Sequence, residues 1–168
     1  MFAERGYHAA TIHEICARAK VSVGSFYSHF DDKRELMIRV IEDLARSTIP
    51  PLAEWNFADV REIAGHIDRF FADRVVSGVW RAWREAVLQD STLQSVENRI
   101  HHFAIEHYAT AVTRTRLAKG ISEKTALDPD TVAWVLLALV RENVTNHAAA
   151  PPHETTARVI CDLALPRA

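Results

Sequence analysis

Three helix-start signals within the first 35 residues constrain this chain more than any other feature. Thr11-Ile12-His13-Glu14 forms a capping box, in which a hydroxyl and a carboxylate satisfy backbone N–H groups at the start of a helix. Ser22 is a second N-cap, and Asp32-Lys33-Arg34-Glu35 is predicted to form a further capping box. These signals predict short helices separated by tight turns.

The remainder of the chain contains longer amphipathic segments. Apolar residues recur at intervals of three and four, which predicts helices over 60–75, 79–89, 91–119, 131–147 and 153–165. With only 5 Gly and 6 Pro in 168 residues, a turn-rich β-sandwich or barrel is disfavoured. The predicted fold is all-α, with a helix-turn-helix domain over residues 1–48 and a bundle of five helices over residues 49–168.

Composition restricts the compartment and the partners. The longest uncharged apolar run, 131–140, is about half as long as a membrane-spanning helix, and the N-terminus lacks a basic and apolar leader. No membrane partner is therefore predicted. Cys16 and Cys161 lie far apart in apolar patterns, which is typical of free thiols in a reducing cytoplasm. The net charge of −2 gives no global attraction to nucleic acid, so any DNA site must be a local motif.

The nine histidines do not form a recognisable catalytic or metal motif. None has Glu three residues before it, and H-x-x-x-H, C-x-x-C and G-x-S-x-G spacings are absent from the sequence. The i, i+4 pairs Glu62/His66, Glu97/His101 and His102/Glu106 are interpreted as solvated contacts on helix surfaces. The sequence predicts neither an enzyme nor a cofactor.

A helix, a tight turn and a short helix over residues 11–30 match the geometry of a helix-turn-helix motif. Periodicity alone leaves open a helical hairpin without a ligand. Five short sequences follow one another with consistent spacing: FAERGY at 2–7, TIHEI at 11–15, AKVSVGSFY at 19–27, HF at 29–30 and KREL at 33–36. Together they resemble the DNA-binding segment of TetR/AcrR-type transcriptional repressors.

The resemblance implies that the N-terminal domain binds double-stranded operator DNA. Phosphate contacts are expected from Thr11, Tyr27, His29 and Lys33, and Gly24 is expected to let the short helix approach the bases. Phe26 and Phe30 are predicted core residues. The predicted DNA-binding set is Thr11, Ser22, Val23, Gly24, Ser25, Tyr27, His29 and Lys33.

The chain departs from the family pattern at three places. Val23 replaces a common Lys, and Lys20 occupies a turn position where Gly is frequent. The family has further helical residues ahead of Phe2, so this chain begins inside its first helix. Ile12, Ile15 and Phe30 would then lose a partner, and a weakened or mobile DNA-binding head is expected.

Aromatic residues are concentrated between Trp55 and Tyr108, where they form either a filled core or the walls of an apolar cavity. The resemblance favours a cavity for a small apolar effector among the helices that carry these residues. Further polar wall candidates are Asn98, His102 and Glu106. The predicted ligand-binding set is Phe71, Trp80, Trp83, Phe103, His107 and Asn143.

The segment from Thr131 to Val144 is apolar around most of its circumference, so it must lie inside the bundle or against a second subunit. The resemblance implies a homodimer through the last two helices, with Ile160, Leu163 and Leu165 sharing the contact. The functional prediction is a ligand-responsive repressor of the cytoplasm. The alternative is a helical module that binds a small molecule or a protein without touching DNA.

Overall fold

The computed structural model describes residues 1–49, 54–122, 126–145 and 152–165, with the side chains of 143–145 excepted. These residues are mostly helical and contain no β-strand, which confirms the predicted fold class. None of their helices is both long and apolar enough to cross a membrane. The α-helices are α1 (Phe2–Ala9), α2 (Ile12–Ala19), α3 (Val23–Tyr27), α4 (Lys33–Thr48), α5 (Val60–Ala72), α6 (Arg74–Gln89), α7 (Gln94–Lys119), α8 (Pro129–Thr145) and α9 (His153–Ala164).

The starts of α2, α3 and α4 follow the capping signals. The Thr11–Glu14 capping box is complete, and the Ser22 hydroxyl accepts a hydrogen bond from the Ser25 N–H. The Asp32 carboxylate accepts from the Glu35 N–H at 2.8 Å. Glu35 does not complete a box with Asp32, because its carboxylate accepts from the Asp31 N–H instead.

The joint between α5 and α6 lies earlier than the sequence predicted. Asp73 ends α5 and also caps α6, where its carboxylate accepts from the N–H groups of Val75 and Val76. Val75 therefore belongs to α6, and α6 begins five residues before the predicted start at Val79. A single aspartate separates the two helices, so neither a proline nor a glycine marks the joint in the sequence.

The backbones of α1 and α6 lie in close contact. Gly6 has φ of 78°, a conformation that favours glycine, and it kinks α1. A Cβ atom at Gly78 would lie only 2.6 Å from the carbonyl oxygen of Ala3, so glycine is needed for the two backbones to meet. At the other end of the contact, Glu85 accepts from the N–H groups of Tyr7 at 3.1 Å and His8 at 3.2 Å.

The five-helix bundle and the N-terminal helices share one hydrophobic core. Met37 and Ile41 of α4 are fully buried in the same cluster as Trp83 of α6 and Leu136 of α8. Cys16 and Phe26 are buried in the N-terminal segment, whereas Phe30 is half-buried. Ile12 and Ile15 are half-buried too. The domain division at residues 48 and 49 and a mobile head both remain predictions.

Candidate DNA-binding surface and ligand cavity

The predicted recognition residues form an exposed surface around α3. Ser22, Gly24, Ser25, Tyr27 and His29 are exposed, and Val23 is half-buried. The Tyr27 side chain is among the most exposed large apolar groups, at 55%. This surface consists of small side chains and two aromatic rings, and it contains no charged residue between 21 and 30. Direct contact with DNA at these positions remains a prediction.

The cations of the N-terminal segment are largely engaged in internal contacts. Arg5 pairs with Glu14, Arg18 with Glu4 and Arg34 with Asp32. Further along α4, Arg39 pairs with Asp43, and Arg46 with Glu42 and Asp43. Exposed ion pairs contribute little stability, but each places a carboxylate beside a group that could otherwise meet a phosphate. Lys20 is exposed at the turn after α2 and makes no side-chain ion pair within residues 1–49.

Lys33 connects α1 to α4. Its ammonium donates to the carbonyl oxygens of Tyr7 at 2.7 Å, His8 at 3.3 Å and Ala10 at 2.9 Å. It also lies 4.6 Å from the centre of the Tyr7 ring. Burial lowers the pKa of Lys33, and the charge of Glu85 partly opposes that shift. Since these carbonyls engage its donors, Lys33 has a structural role beside the predicted phosphate contact.

Thr11 likewise makes hydrogen bonds within the protein. Its hydroxyl donates to Glu14 Oε2 at 2.7 Å, and its backbone N–H donates to the same oxygen at 3.1 Å. A phosphate at this helix start would compete with the Glu14 carboxylate for both donors. The phosphate contact of Thr11 remains a prediction, as does that of Lys33.

A cavity of about 110 Å³ lies inside the bundle. Its walls come from α5 to α9 and from the end of α4 with the residues that follow it. The predicted ligand residues Phe71, Trp80 and Trp83 line it. The other apolar lining residues are Ile49, Trp55, Ile67, Phe70, Ile100, Ala104, Leu137 and Val140.

Two of the predicted ligand residues lie on another face. Helix α7 presents Glu97, Ile100, His101, Ala104 and Tyr108 to the cavity. Phe103 and His107 lie on the adjacent face, with ring centres 4.4 Å apart and the His107 Nδ1 atom 2.8 Å from the Phe103 carbonyl oxygen. Phe103 and His107 therefore do not line this cavity, because the choice of face followed aromatic content rather than the full apolar stripe. Their part in ligand binding stays a prediction.

The polar wall was also predicted on the wrong side of α7. Asn98, His102 and Glu106 are exposed. The side chain of Asn143 lies outside the described residues, so its role stays a prediction. The polar lining residues of the cavity are Thr48, His66, Arg84, Glu97, His101, Tyr108, Arg141 and Thr156.

Glu97 organises the polar end of the cavity. Its side chain is 3% exposed, and it accepts a hydrogen bond from the indole N–H of Trp83. Arg84 Nη1 lies 3.2 Å and His101 Nε2 lies 2.9 Å from Glu97 Oε1. Burial raises the pKa of Glu97, but hydrogen bonds from His101 and Trp83 and the charges of His101 and Arg84 lower it overall.

The interpretation of Glu97/His101 as a solvated contact on the helix surface is wrong, because the Glu97 side chain is buried. Spacing alone does not say which side of a helix a pair occupies. The signal was nevertheless present, since Glu97 and His101 share the α7 stripe of Ile100, Ala104 and Tyr108. Arg84 and Thr156 had no such signal, because their place in the cavity depends on how α6 and α9 pack.

An exposed helix-turn-helix segment thus precedes a helical bundle that contains an internal cavity. Residues 1–40 match the family model described as bacterial regulatory proteins, tetR family. The match confirms, for this segment, the resemblance to TetR-type proteins noted from the sequence.

Two curated relatives match part of the chain. The chain is 33% identical over 70 residues to the HTH-type transcriptional repressor DhaR of Mycobacterium sp. (strain GP1), covering 39% of this chain and 35% of that protein. It is 38% identical over 63 residues to the repressor KstR2 of Mycobacterium tuberculosis, covering 38% of this chain and 28% of the relative. The matched part thus spans about a third or less of these relatives.

The fold is similar along nearly the whole chain to a solved structure. The transcriptional regulator FadR from Bacillus subtilis, in complex with stearoyl-CoA, superimposes with a TM-score of 0.71 at 18% identity. The superposition covers 98% of this chain and 92% of that chain. At this identity the similarity establishes the fold alone. The relatives and this regulator carry the names of transcriptional regulators rather than enzymes.

Proposed function

We propose that this protein is a ligand-responsive transcriptional repressor that binds operator DNA as a homodimer and is released by a small, mainly apolar molecule. Two kinds of similarity support this proposal: DhaR and KstR2 carry the name of repressor, and FadR was solved with an acyl-CoA. The free, buried Cys16 and Cys161 suit a reducing cytoplasm, which we propose as the compartment.

The observation that carries the proposal is the path of α4. This helix begins at Lys33, whose ammonium is bonded to carbonyls in the turn before α2. It ends at Thr48, which lines the cavity together with Ile49. One rigid element therefore joins the ligand site to the DNA-binding segment. A ligand that moves the Arg46 end of α4 changes the separation of the two heads in a dimer.

Helix α6 provides a second connection of the same kind. Trp80, Trp83 and Arg84 line the cavity, and the next residue, Glu85, accepts from the N–H groups of Tyr7 and His8. A shift of α6 on ligand binding would therefore move α1 as well. Two heads in register must fit successive major grooves about 34 Å apart, so a changed separation weakens operator binding.

The proposed dimer surface lies on α8 and α9. Val132, Ala133 and Leu136 of α8 are buried within the bundle, whereas Trp134 is 62% exposed. Val159 on α9 is 45% exposed. Large apolar groups left open on adjacent helices favour association with a second copy. The predicted contact through Ile160 is wrong for this structure, because Ile160 is 1% exposed and belongs to the core.

One observation favours the alternative of a helical binding module without DNA contact. The N-terminal segment pairs most of its cations internally, so its electrostatic attraction to phosphate is weak. Selection from fragmented genomic DNA, followed by titration at several salt concentrations, separates the two functions. The repressor predicts a selected sequence and a salt-dependent affinity, and a binding module predicts neither.

Two variants make the DNA test specific. Lys20→Ala should weaken binding to all sequences alike and reduce the salt slope by about one, because Lys20 is an exposed cation of the turn. A substitution at Ser25 should instead alter the selected sequence. If Ser25 variants select the same sequence as the unmodified protein, α3 does not contact bases.

The ligand response needs its own control. Ala104 is 1% exposed and lines the cavity, so Ala104→Trp should fill the space and abolish ligand-induced release while DNA binding persists. A strongly lowered melting temperature would show instead that the space is too small for the indole. Release of DNA by the same ligand from Ala104→Trp would contradict the assignment of this cavity as the effector site.

A further inference from the structure

Three buried polar atoms in the cavity wall have no hydrogen-bond partner among the described residues. They are the indole Nε1 of Trp80, the Nε of Arg84 and the hydroxyl oxygen of Thr156. All three residues line the cavity, and Thr156 is 4% exposed. A buried donor without a partner is costly, so a native structure that retains several at one cavity has a use for them.

Thr156 differs from three other helical threonines of the described chain. The hydroxyls of Thr48, Thr110 and Thr115 each donate to the carbonyl oxygen four residues earlier. The Thr156 hydroxyl makes no such bond, although the Thr156 N–H donates to the Pro152 carbonyl in the usual way. Its hydroxyl therefore has no partner among the described residues, in a residue that lines the cavity.

The carboxylate among the lining residues is already engaged. The Glu97 carboxylate contacts the Trp83 indole N–H, Arg84 Nη1 and His101 Nε2. It has few lone pairs left for a ligand amine. Two unpartnered N–H groups, one turn apart on α6, remain as donors. The complementary ligand group is an oxygen acceptor.

Charge balance selects among the oxygen acceptors. The guanidinium of Arg84 is paired with the Glu97 carboxylate, so the polar end of the cavity already holds an opposite pair. His101 contacts the same carboxylate, and Arg141, which also lines the cavity, is engaged as well. A second carboxylate would enter beside Glu97 and compete for cations that already have partners, and burial of an uncompensated charge is expensive. An uncharged carbonyl can accept from Trp80 and Arg84 without that penalty.

We infer that the effector of this cavity is an apolar molecule with an uncharged carbonyl group, such as an ester, thioester, amide or ketone, held by the indole of Trp80, the Nε of Arg84 and the hydroxyl of Thr156. This inference rests on the proposed effector site and adds the chemistry of its ligand. It excludes apolar amines, because the only buried carboxylate at the polar end is occupied by three donors of the described chain.

Three compounds with the same eight-carbon chain test the inference on the full protein: methyl octanoate, octanoate and octylamine. Trp55, Trp80 and Trp83 line the cavity, so quenching of tryptophan fluorescence reports binding. Methyl octanoate should bind tightest. Equal or tighter binding of octylamine or octanoate overturns the inference, as does a failure of all three to bind.

Matched variants locate the carbonyl. Thr156→Val and Trp80→Phe should each weaken methyl octanoate about three- to tenfold, the value of one hydrogen bond. Thr155→Val on the exposed side of α9 is the control and should leave the affinity unchanged. Thr156→Val should also leave the melting temperature of the free protein equal or higher, because the lost hydroxyl had no partner. Unchanged affinity in both variants contradicts the inference.

The outcome is separable from that of the proposed function. Sequence-specific DNA binding is measured without ligand, so a protein that binds its operator but none of the three compounds refutes the ligand class alone. A protein that prefers methyl octanoate but binds no DNA refutes the repressor and leaves the ligand class standing.

Discussion

At the scale of single residues, Lys20 lies in a conformation that suits another amino acid. It ends α2 with φ of 56°, the left-handed region that glycine adopts without steric penalty. Lys20→Gly should therefore stabilise the protein by about 1 kcal/mol and raise its Tm by roughly 2 to 4 °C. Thermal unfolding of Lys20→Gly beside Lys20→Ala isolates the backbone effect. An equal Tm for the two variants would show that no strain resides at this turn.

Protonation of Glu97 should lower the stability of the protein at acidic pH. Its pKa is lower in the folded protein than the ordinary value of 4.5, so its contribution is complete above that value and disappears as the pH falls through the folded pKa. Glu97→Gln should lower stability at pH 7 by about 2 kcal/mol, because hydrogen bonds to a buried charge are lost.

Denaturant titration between pH 7 and pH 3 measures this contribution. The difference between the unmodified protein and Glu97→Gln should shrink as the solution becomes acidic. Glu62→Gln is a suitable control, since the Glu62–His66 pair lies near the surface with side chains 39% and 28% exposed. A constant difference across the pH range would assign the effect of Glu97→Gln to packing rather than to charge.

At the scale of elements, the contact of α1 with α6 depends on one glycine. A Cβ atom at Gly78 would lie 2.6 Å from the carbonyl oxygen and 2.8 Å from the Cβ of Ala3, and neither atom can move without the backbone. Gly78→Ala should cost about 1 to 3 kcal/mol and displace α1 from α6.

Gly65 on α5 provides the matched control. A Cβ there would meet only the flexible Arg69 side chain, at 3.4 Å, so Gly65→Ala should stabilise the helix by up to about 1 kcal/mol. Opposite signs for the two variants in the same unfolding assay are expected. If Gly78→Ala is as stable as Gly65→Ala, the close approach of α1 to α6 is not part of the folded protein.

The elements also show which parts of the structure a sequence can predict. The starts of α2, α3 and α4 were predictable because a cap involves only residues a few positions apart, as in the Asp32 carboxylate that accepts from the Glu35 N–H. The inward face of α7 was not, since α7 is covered on more than one side and several stripes compete. Arg84 and Thr156 line the same cavity because separate helices pack together, and no local sequence pattern encodes that packing.

At the scale of the whole molecule, Trp134 and Ile160 distinguish association from folding. Trp134→Glu should yield a folded monomer, because the indole is exposed and the charge would oppose a second copy. Ile160→Arg should unfold the protein instead, since it buries a charge in the core. Sedimentation and circular dichroism together separate the outcomes. A monomeric unmodified protein at micromolar concentration would remove the dimer from the proposal.

The length of α4 has a mechanical consequence. Its 16 residues extend about 24 Å from the cavity to the N-terminal segment, so a tilt of roughly 5° at the cavity moves the far end by roughly 2 Å. In a twofold dimer both arms swing together, and the displacement between the heads reaches about one base-pair step of DNA, roughly 3.4 Å. The length of α4 therefore amplifies a small change at the cavity. In the proposed dimer, a tilt of this size would shift the two DNA-binding segments by enough to lose their register with the major grooves.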